Sequence, residues 1–317
     1  MNTIYFIVQQ MMFFSIPLLI VALGGMFSER SGIINIGLEG TMILGAFAGI
    51  LFINRFQDKI PGQPVLILAI IIASLTGMLV GLLHAFASIN LKADQVISGT
   101  AINMFAVAFA TYVARTVNTV QQIPFKNQFH IKSIPLLGKI PIIGPMFFQN
   151  TYFTTYLGLA ILIISIIVLY NTKFGLRLTS CGEHPQAADS MGINVYKMRY
   201  AGVVISGILA AIGGLVFIIP TSTSFNASVS GYGFLAMAVL IFGQWRPKRI
   251  FVAALFFGLM KTLSATYSGI AILRELPISN TIYKMIPFIA TLIVLAFTSK
   301  KSQSPKALGK IYDKSLR

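Results

Sequence analysis

The chain has 317 residues, of which 56% are hydrophobic and 10% charged, with a mean hydropathy of +0.82 and a formal net charge of +16. A soluble domain carries about a quarter charged residues, so this composition excludes an ordinary water-soluble enzyme. The basic residues are scattered through loops rather than gathered in one patch, so positive-inside topology accounts for the charge better than nucleic-acid binding does. The single cysteine, Cys181, leaves no disulfide within the chain and no Cys-based metal site.

Apolar runs recur along the chain, most of them long enough to cross about 30 Å of hydrocarbon. The first, Ile4 to Met26, has no basic residue before it and no small-residue cleavage site after it. It reads as a retained span with an external N-terminus. SERSGIINIGLEG, Ser28 to Gly40, breaks the pattern before a short run from Thr41 to Ile53. Asn54 to Pro64 is a turn, Val65 to Ala87 a span, Ile89 to Gly99 a polar break and Thr100 to Val117 the next crossing. Asn118 to Asn150 holds Pro124, Pro135, Pro141 and Pro145 and cannot be one helix. Within it, Ile134 to Phe148 alternates apolar clusters with Pro and Gly, which suits a collar along the outer interface held by Lys132 and Lys139. Thr151 to Tyr170 crosses again.

The polar loop Asn171 to Arg199 contains a short helix with both ends marked: Pro185 at a first helical position and Gly192 as the stop. Lys173, Arg177, Lys197 and Arg199 flank it and place it in the cytoplasm. Tyr200 to Ile219 then spans, Pro220 to Ser230 is a second polar stretch, and Gly231 to Gly243 a second short run. Gln244 to Arg249 is a basic turn, Ile250 to Tyr267 and Thr281 to Thr298 complete the crossings, and a basic tail follows, suited to anionic lipid. The expectation is an all-α polytopic membrane protein with nine crossings, N-terminus outside and C-terminus inside. About fifteen Lys/Arg fall on the cytoplasmic side and about eight outside.

The order of spans and breaks recurs, with five crossings between the starts of the two halves. An odd number inverts the second copy, and paired interrupted segments point to a substrate site near the midplane. The chain divides as one transmembrane domain: a first repeat at 1–120, a linking span at 151–170, the cytoplasmic loop at 171–199, a second repeat at 200–299 and the tail at 300–317.

There is no P-loop, no H-E-x-x-H and no G-x-S-x-G, and His84, His130 and His184 lie far apart, so no catalytic or metal-binding constellation is visible. Polar residues inside the apolar frame are the better clues. Asn35 and Glu39 lie at the first break, Gln95, Ser98, Thr100 and Asn103 at the start of the fourth span, and Asn226, Ser228 and Ser230 at the second break. Amides and hydroxyls of this kind would suit an uncharged, hydroxyl-rich ligand, with Asn103 the first choice; alternatively they bond one another and hold helices together. Lys261 is an intramembrane charge that could pair with Glu39, face a cavity or snorkel.

The segments SERSGIINIGLEG and TMILGAF, with ADQVISGTAIN, IPLLGKIPIIGPMFF and GEHPQAADSMGI, resemble the permease subunits of bacterial nucleoside ABC importers. That group also serves ribose-type sugars and branched-chain amino acids, and the likeness covers almost the whole chain in the same order. The resemblance implies a type II importer-like fold and a non-catalytic subunit forming the path for nucleosides in a bacterial cytoplasmic membrane. It implies as partners an ATP-binding cassette subunit carrying ATP and Mg, a second permease forming a heterodimer, and an extracytoplasmic binding protein. It further implies that Gly182, Glu183, His184, Pro185, Gln186, Ala187, Ala188, Asp189 and Gly192 form the coupling helix that docks on the ATPase. The competing readings are a permease for a simple sugar such as ribose and an ion-coupled secondary transporter.

Overall fold

The computed structural model describes residues 2–267, 279–298 and 304–314. Eleven α-helices are described: α1 (Asn2–Arg30), α2 (Leu38–Phe56), α3 (Gln63–Ala85), α4 (Gln95–Asn118), α5 (Phe153–Asn171), α6 (Lys173–Glu183), α7 (Pro185–Ser190), α8 (Val195–Thr221), α9 (Tyr232–Phe242), α10 (Pro247–Thr266) and α11 (Asn280–Thr298). Seven of these, α1 to α5, α8 and α10, are long and apolar enough to cross a membrane. The expected count of nine is therefore met only if α9 and α11 are added. At about 1.5 Å per residue, the 11 residues of α9 reach roughly halfway through the hydrocarbon.

The two short runs expected from the sequence turn out unequal. The run at Thr41–Ile53 is extended at both ends into the 19-residue α2. The polar residues that looked like breakers have partners there: Glu39 is bonded inside the bundle, and Asn54 Nδ2 donates to the carbonyl of Pro124 at 2.8 Å. The second run stays short: Gly231, at φ +76°, starts α9, and Gly243 ends it. The amphipathic helix α6 was not expected. Thr172 Oγ1 caps it by accepting the Gly175 N–H, and Gly175, Leu178, Cys181 and Gly182 form its buried face.

Two long helices form the centre. α8 packs on α1, α2 and α3, while α1 packs on α8, α9 and α10, so each set of helices lies against the other's. Small residues make the approach possible. A Cβ at Gly77 would fall on the Gly207 carbonyl, one at Gly45 on Ala211, and one at Gly214 on the Met42 carbonyl. Within a bilayer, where apolar burial gives little drive between helices, such close backbone packing is a main source of association.

At one end of the bundle the irregular segment 119–152 folds into short antiparallel pairs. β1 (Ile123–Pro124) pairs with β4 (Ser224–Phe225), and β2 (His130–Ser133) pairs with β3 (Gln149–Tyr152). The first pair joins the two loops at this end, and Gln9 Nε2 reaches the Pro145 carbonyl at 2.6 Å. At the opposite end lie α6, α7 and the tail. Instead of lying along lipid, the described tail packs onto protein. Ala307 N–H donates to the Gly182 carbonyl at 2.9 Å and Gly309 N–H to the Gly32 carbonyl at 3.0 Å. Arg199 Nη1 donates to the Lys310 carbonyl at 3.0 Å, and Lys92 Nζ pairs with Asp313 at 2.5 Å.

Replacing Gly77 by leucine forces α3 away from α8 at its closest contact. Overpacking of this kind costs about 1–3 kcal/mol, more where backbone must move. The purified Gly77→Leu protein should melt at a clearly lower temperature in detergent than wild type, and an unchanged melting curve would contradict the packing.

Candidate functional site

A break in a membrane helix exposes backbone donors and acceptors that lipid cannot satisfy. At the first break, residues 31–37, side chains supply those bonds. Ser28 Oγ donates to the Ile33 carbonyl at 2.8 Å, and Gln95 Oε1 accepts the Ile34 N–H at 2.7 Å. His84 Nε2 lies 3.0 Å from the Ile34 carbonyl and Nδ1 lies 2.9 Å from Ser98 Oγ. A carbonyl only accepts, so Nε2 carries the proton and, in the neutral ring, Nδ1 accepts from the serine hydroxyl. His84, in the last turn of α3, is a buried bridge between α3, α4 and the break.

The remaining expected residues divide between internal bonding and exposure. Asn103 Oδ1 accepts the Gly40 N–H at 2.7 Å and Nδ2 donates to the Ile36 carbonyl at 3.0 Å, so its amide secures the start of α2. Asn35 Nδ2 donates to Ser206 Oγ on α8 at 3.0 Å. Glu39 accepts the Gly231 N–H at 3.0 Å and the Gly233 N–H at 2.6 Å, joining the first turn of α2 to the start of α9. A carboxylate suits that place, because the first N–H groups of a helix have no intrahelical partner and carry partial positive charge. Asn226 and Ser230 are exposed. Ser230, with Tyr232 and Lys261, lines a cavity of about 500 Å³ between α9, α10 and α11. Lys261 thus takes the cavity-facing place among its three possibilities, with Nζ 5.8 Å from the centre of the Tyr232 ring, while Glu39 is engaged elsewhere.

The sequence reading missed a contact at the far ends of α1 and α9. Trp245 Nε1 donates to Glu29 at 2.5 Å, and Arg30 donates twice to the Trp245 carbonyl, at 3.2 and 2.9 Å. The signal available was the chain's only tryptophan, standing in the basic turn QWRPKR.

The segment 182–192 is built as a short projecting helix. Pro185 stands at the first position of α7, and Gly192 has φ +78°, the left-handed stop expected from sequence. Its two faces differ. Gly182, Pro185 and Ala188 are buried, Ala188 against Cys181, Val195 and Tyr312, while Glu183 and Asp189 are half-buried. His184, Gln186, Ala187 and Met191 face outward, Met191 with 82% of its surface exposed. The sequence treated Ala187 and Ala188 alike; only Ala187 can meet a partner.

Asn103→Leu removes both bonds to the first break. At about 0.5–1.5 kcal/mol each, the loss should lower stability by about 1–3 kcal/mol, read as a fall in melting temperature that Asn103→Gln does not fully restore. A variant as stable as wild type would show those bonds to be dispensable. Burial raises the Cys181 thiol to about 11, so the reactive thiolate is scarce at neutral pH. A maleimide should therefore leave Cys181 unlabelled from either side of the membrane while labelling a cysteine introduced at Met191 from the cytoplasmic side. Ready labelling of Cys181 in the folded protein would contradict its burial.

Residues 7–295 match the family described as branched-chain amino acid transport system / permease component. The chain is 42% identical over 313 residues to the guanosine ABC transporter permease protein NupQ of Bacillus subtilis, covering 98% of this chain and 97% of the relative. It is 40% identical over 315 residues to the nucleoside ABC transporter permease protein NupC of Lactococcus lactis, covering 99% and 98%. The same lactococcal strain has a second relative, the nucleoside ABC transporter permease protein NupB, 25% identical over 304 residues and covered over 81% of its length. No solved structure matches. With its apolar spans and a match that runs almost end to end, the chain is a multi-pass membrane protein and belongs to the branched-chain amino acid transport system permease component family.

Proposed function

We propose that the protein is the membrane-spanning subunit of an ATP-driven importer for nucleosides. The observation that carries this reading is its 40–42% identity, over nearly the full length of each, to two permeases named for guanosine and nucleoside transport. The coupling face is His184, Gln186, Ala187 and Met191 on and after α7, docking against an ATP-binding cassette subunit that carries ATP and Mg. Movement there reaches the first break by a short route, because Ala188 of α7 packs in one cluster with Cys181 of α6 and the adjacent Gly182 lies against the Arg30 backbone.

The two helix sets act as inverted repeats, residues 1–120 and 200–299. The exchange of packing partners between α1 and α8 supports this correspondence. The second permease is a non-identical subunit, a reading supported by the presence of two different permease relatives in one lactococcal strain. The end bearing β1 to β4 is external and meets the binding protein. There the stretch Ile134–Phe148 exposes Leu136, Ile142 and Ile143 in an apolar row suited to an interface.

The test is uptake of labelled guanosine, uridine and ribose by vesicles containing the complete complex. ATP-dependent accumulation of nucleosides, not competed by ribose, is expected. Accumulation of ribose alone, or uptake driven by an ion gradient without ATP, would overturn the reading. In the same vesicles, Met191→Glu should reduce nucleoside uptake at least tenfold with the complex still assembled. Normal uptake by that variant would move the coupling contact elsewhere.

A further inference from the structure

The midplane residues expected to meet substrate are largely occupied in holding the breaks together. Asn35, Ser98 and Asn103 bond protein groups, and both Glu39 oxygens accept backbone N–H groups. The cavity of about 500 Å³ between α9, α10 and α11 is different. The Tyr232 hydroxyl is buried without a hydrogen-bond partner among the described residues, its residue only 1% exposed. No hydrogen bond to the Lys261 ammonium is found among the described residues, and its closest aromatic contact is the Tyr232 ring face. That ring also packs on Phe217, with centroids 4.0 Å apart.

Stranded polar groups in an apolar frame are costly unless something binds them. The repeat correspondence shows why this place is open. In the first set, α4 packs on α2 and inserts Asn103 at the helix start. In the second set, α11 packs on α9 and α10, but it presents Pro287 and Thr291 there, and the α9 start is bonded by Glu39 from the other set. The position that Asn103 fills in one half is therefore a cavity in the other. Its size falls within the range of small-molecule sites, which are mostly apolar with a few placed polar groups.

We propose that this cavity is a binding station on the translocation path, holding a nucleoside by its base. Lys261 donates to a ring carbonyl oxygen, and the Tyr232 hydroxyl pairs with a polar group of the ring or ribose. The proposal rests on the nucleoside-import reading above. Lysine has only donors, so it favours a base with a carbonyl over one with an amino group at the corresponding position. The same fixed positive charge opposes entry of cations, which keeps an open path from leaking ions.

The experiment uses the complete complex in vesicles, with labelled guanosine (a 6-oxo purine) and adenosine (a 6-amino purine). The variants are Lys261→Met and Tyr232→Phe, the latter keeping the ring on Phe217. One lost hydrogen bond corresponds to about a 2- to 13-fold change. Lys261→Met should raise the KM for guanosine by that factor and leave adenosine nearly unchanged, while Tyr232→Phe should raise KM for both, each with a wild-type melting temperature. Unchanged KM values overturn the proposal, and so does an equal loss for both nucleosides accompanied by lower melting temperature, which marks a structural role. If wild type carries none of guanosine, adenosine and uridine, the import reading itself fails; if wild type carries the purine nucleosides and the variants behave like it, only the cavity assignment fails.

Discussion

Irregular backbone inside a bilayer survives only where protein or a water-filled cavity satisfies its donors and acceptors, and this constraint organises the structure. Each unsatisfied group in hydrocarbon costs several kcal/mol. The first break meets the requirement with side chains drawn from three directions: Ser28 before it, His84 from α3, and Gln95 and Asn103 from α4. That dependence sets where α3 and α4 must lie. It also explains the glycines at the contact, since a Cβ at Gly99 would fall on the Gly37 backbone and one at Gly40 on the Asn103 backbone.

The second break meets the same requirement differently. Its N–H groups at Gly231 and Gly233 are bonded by Glu39, a residue of the first set. One carboxylate therefore links the starts of α2 and α9, and movement of either is felt by the other. The bond comes from across the bundle, and space remains beside Tyr232 and Lys261, between α9, α10 and α11. A polar residue that serves structure in one half has no counterpart beside the cavity in the other, where Pro287 and Thr291 stand.

At the basic end, α6, α7 and the tail form a single layer under the bundle. Arg199 is its pivot. It is 2% exposed, bonds the Lys310 carbonyl and lies 5.9 Å from the Tyr312 ring centre. Tyr312 also meets Tyr196 edge-on at 5.4 Å, so the tail closes over the start of α8. The segment that carries Met191 is thus connected through packed side chains and backbone hydrogen bonds to the ends of α1 and α8. These are the two helices on which both sets rest.

Sequence by itself determined the class, the long spans, the order of breaks and the small helix at 185–190. Those features follow from local rules: apolar length against bilayer thickness, Pro185 at a helix start and Gly192 at its end. It also located the polar residues of the midplane, but their roles lay beyond it. Whether Asn103 meets a ligand or the Gly40 N–H depends on which backbone stands opposite, and that is fixed by contacts 63 residues apart in the chain. Glu39 finds its partner 194 residues away, Trp245 finds Glu29 at 216, and the tail reaches Gly182 and Gly32. The length of α2 was likewise decided by tertiary structure, since the run at Thr41–Ile53 extends to Leu38–Phe56 where Glu39 and Asn54 find partners on distant segments.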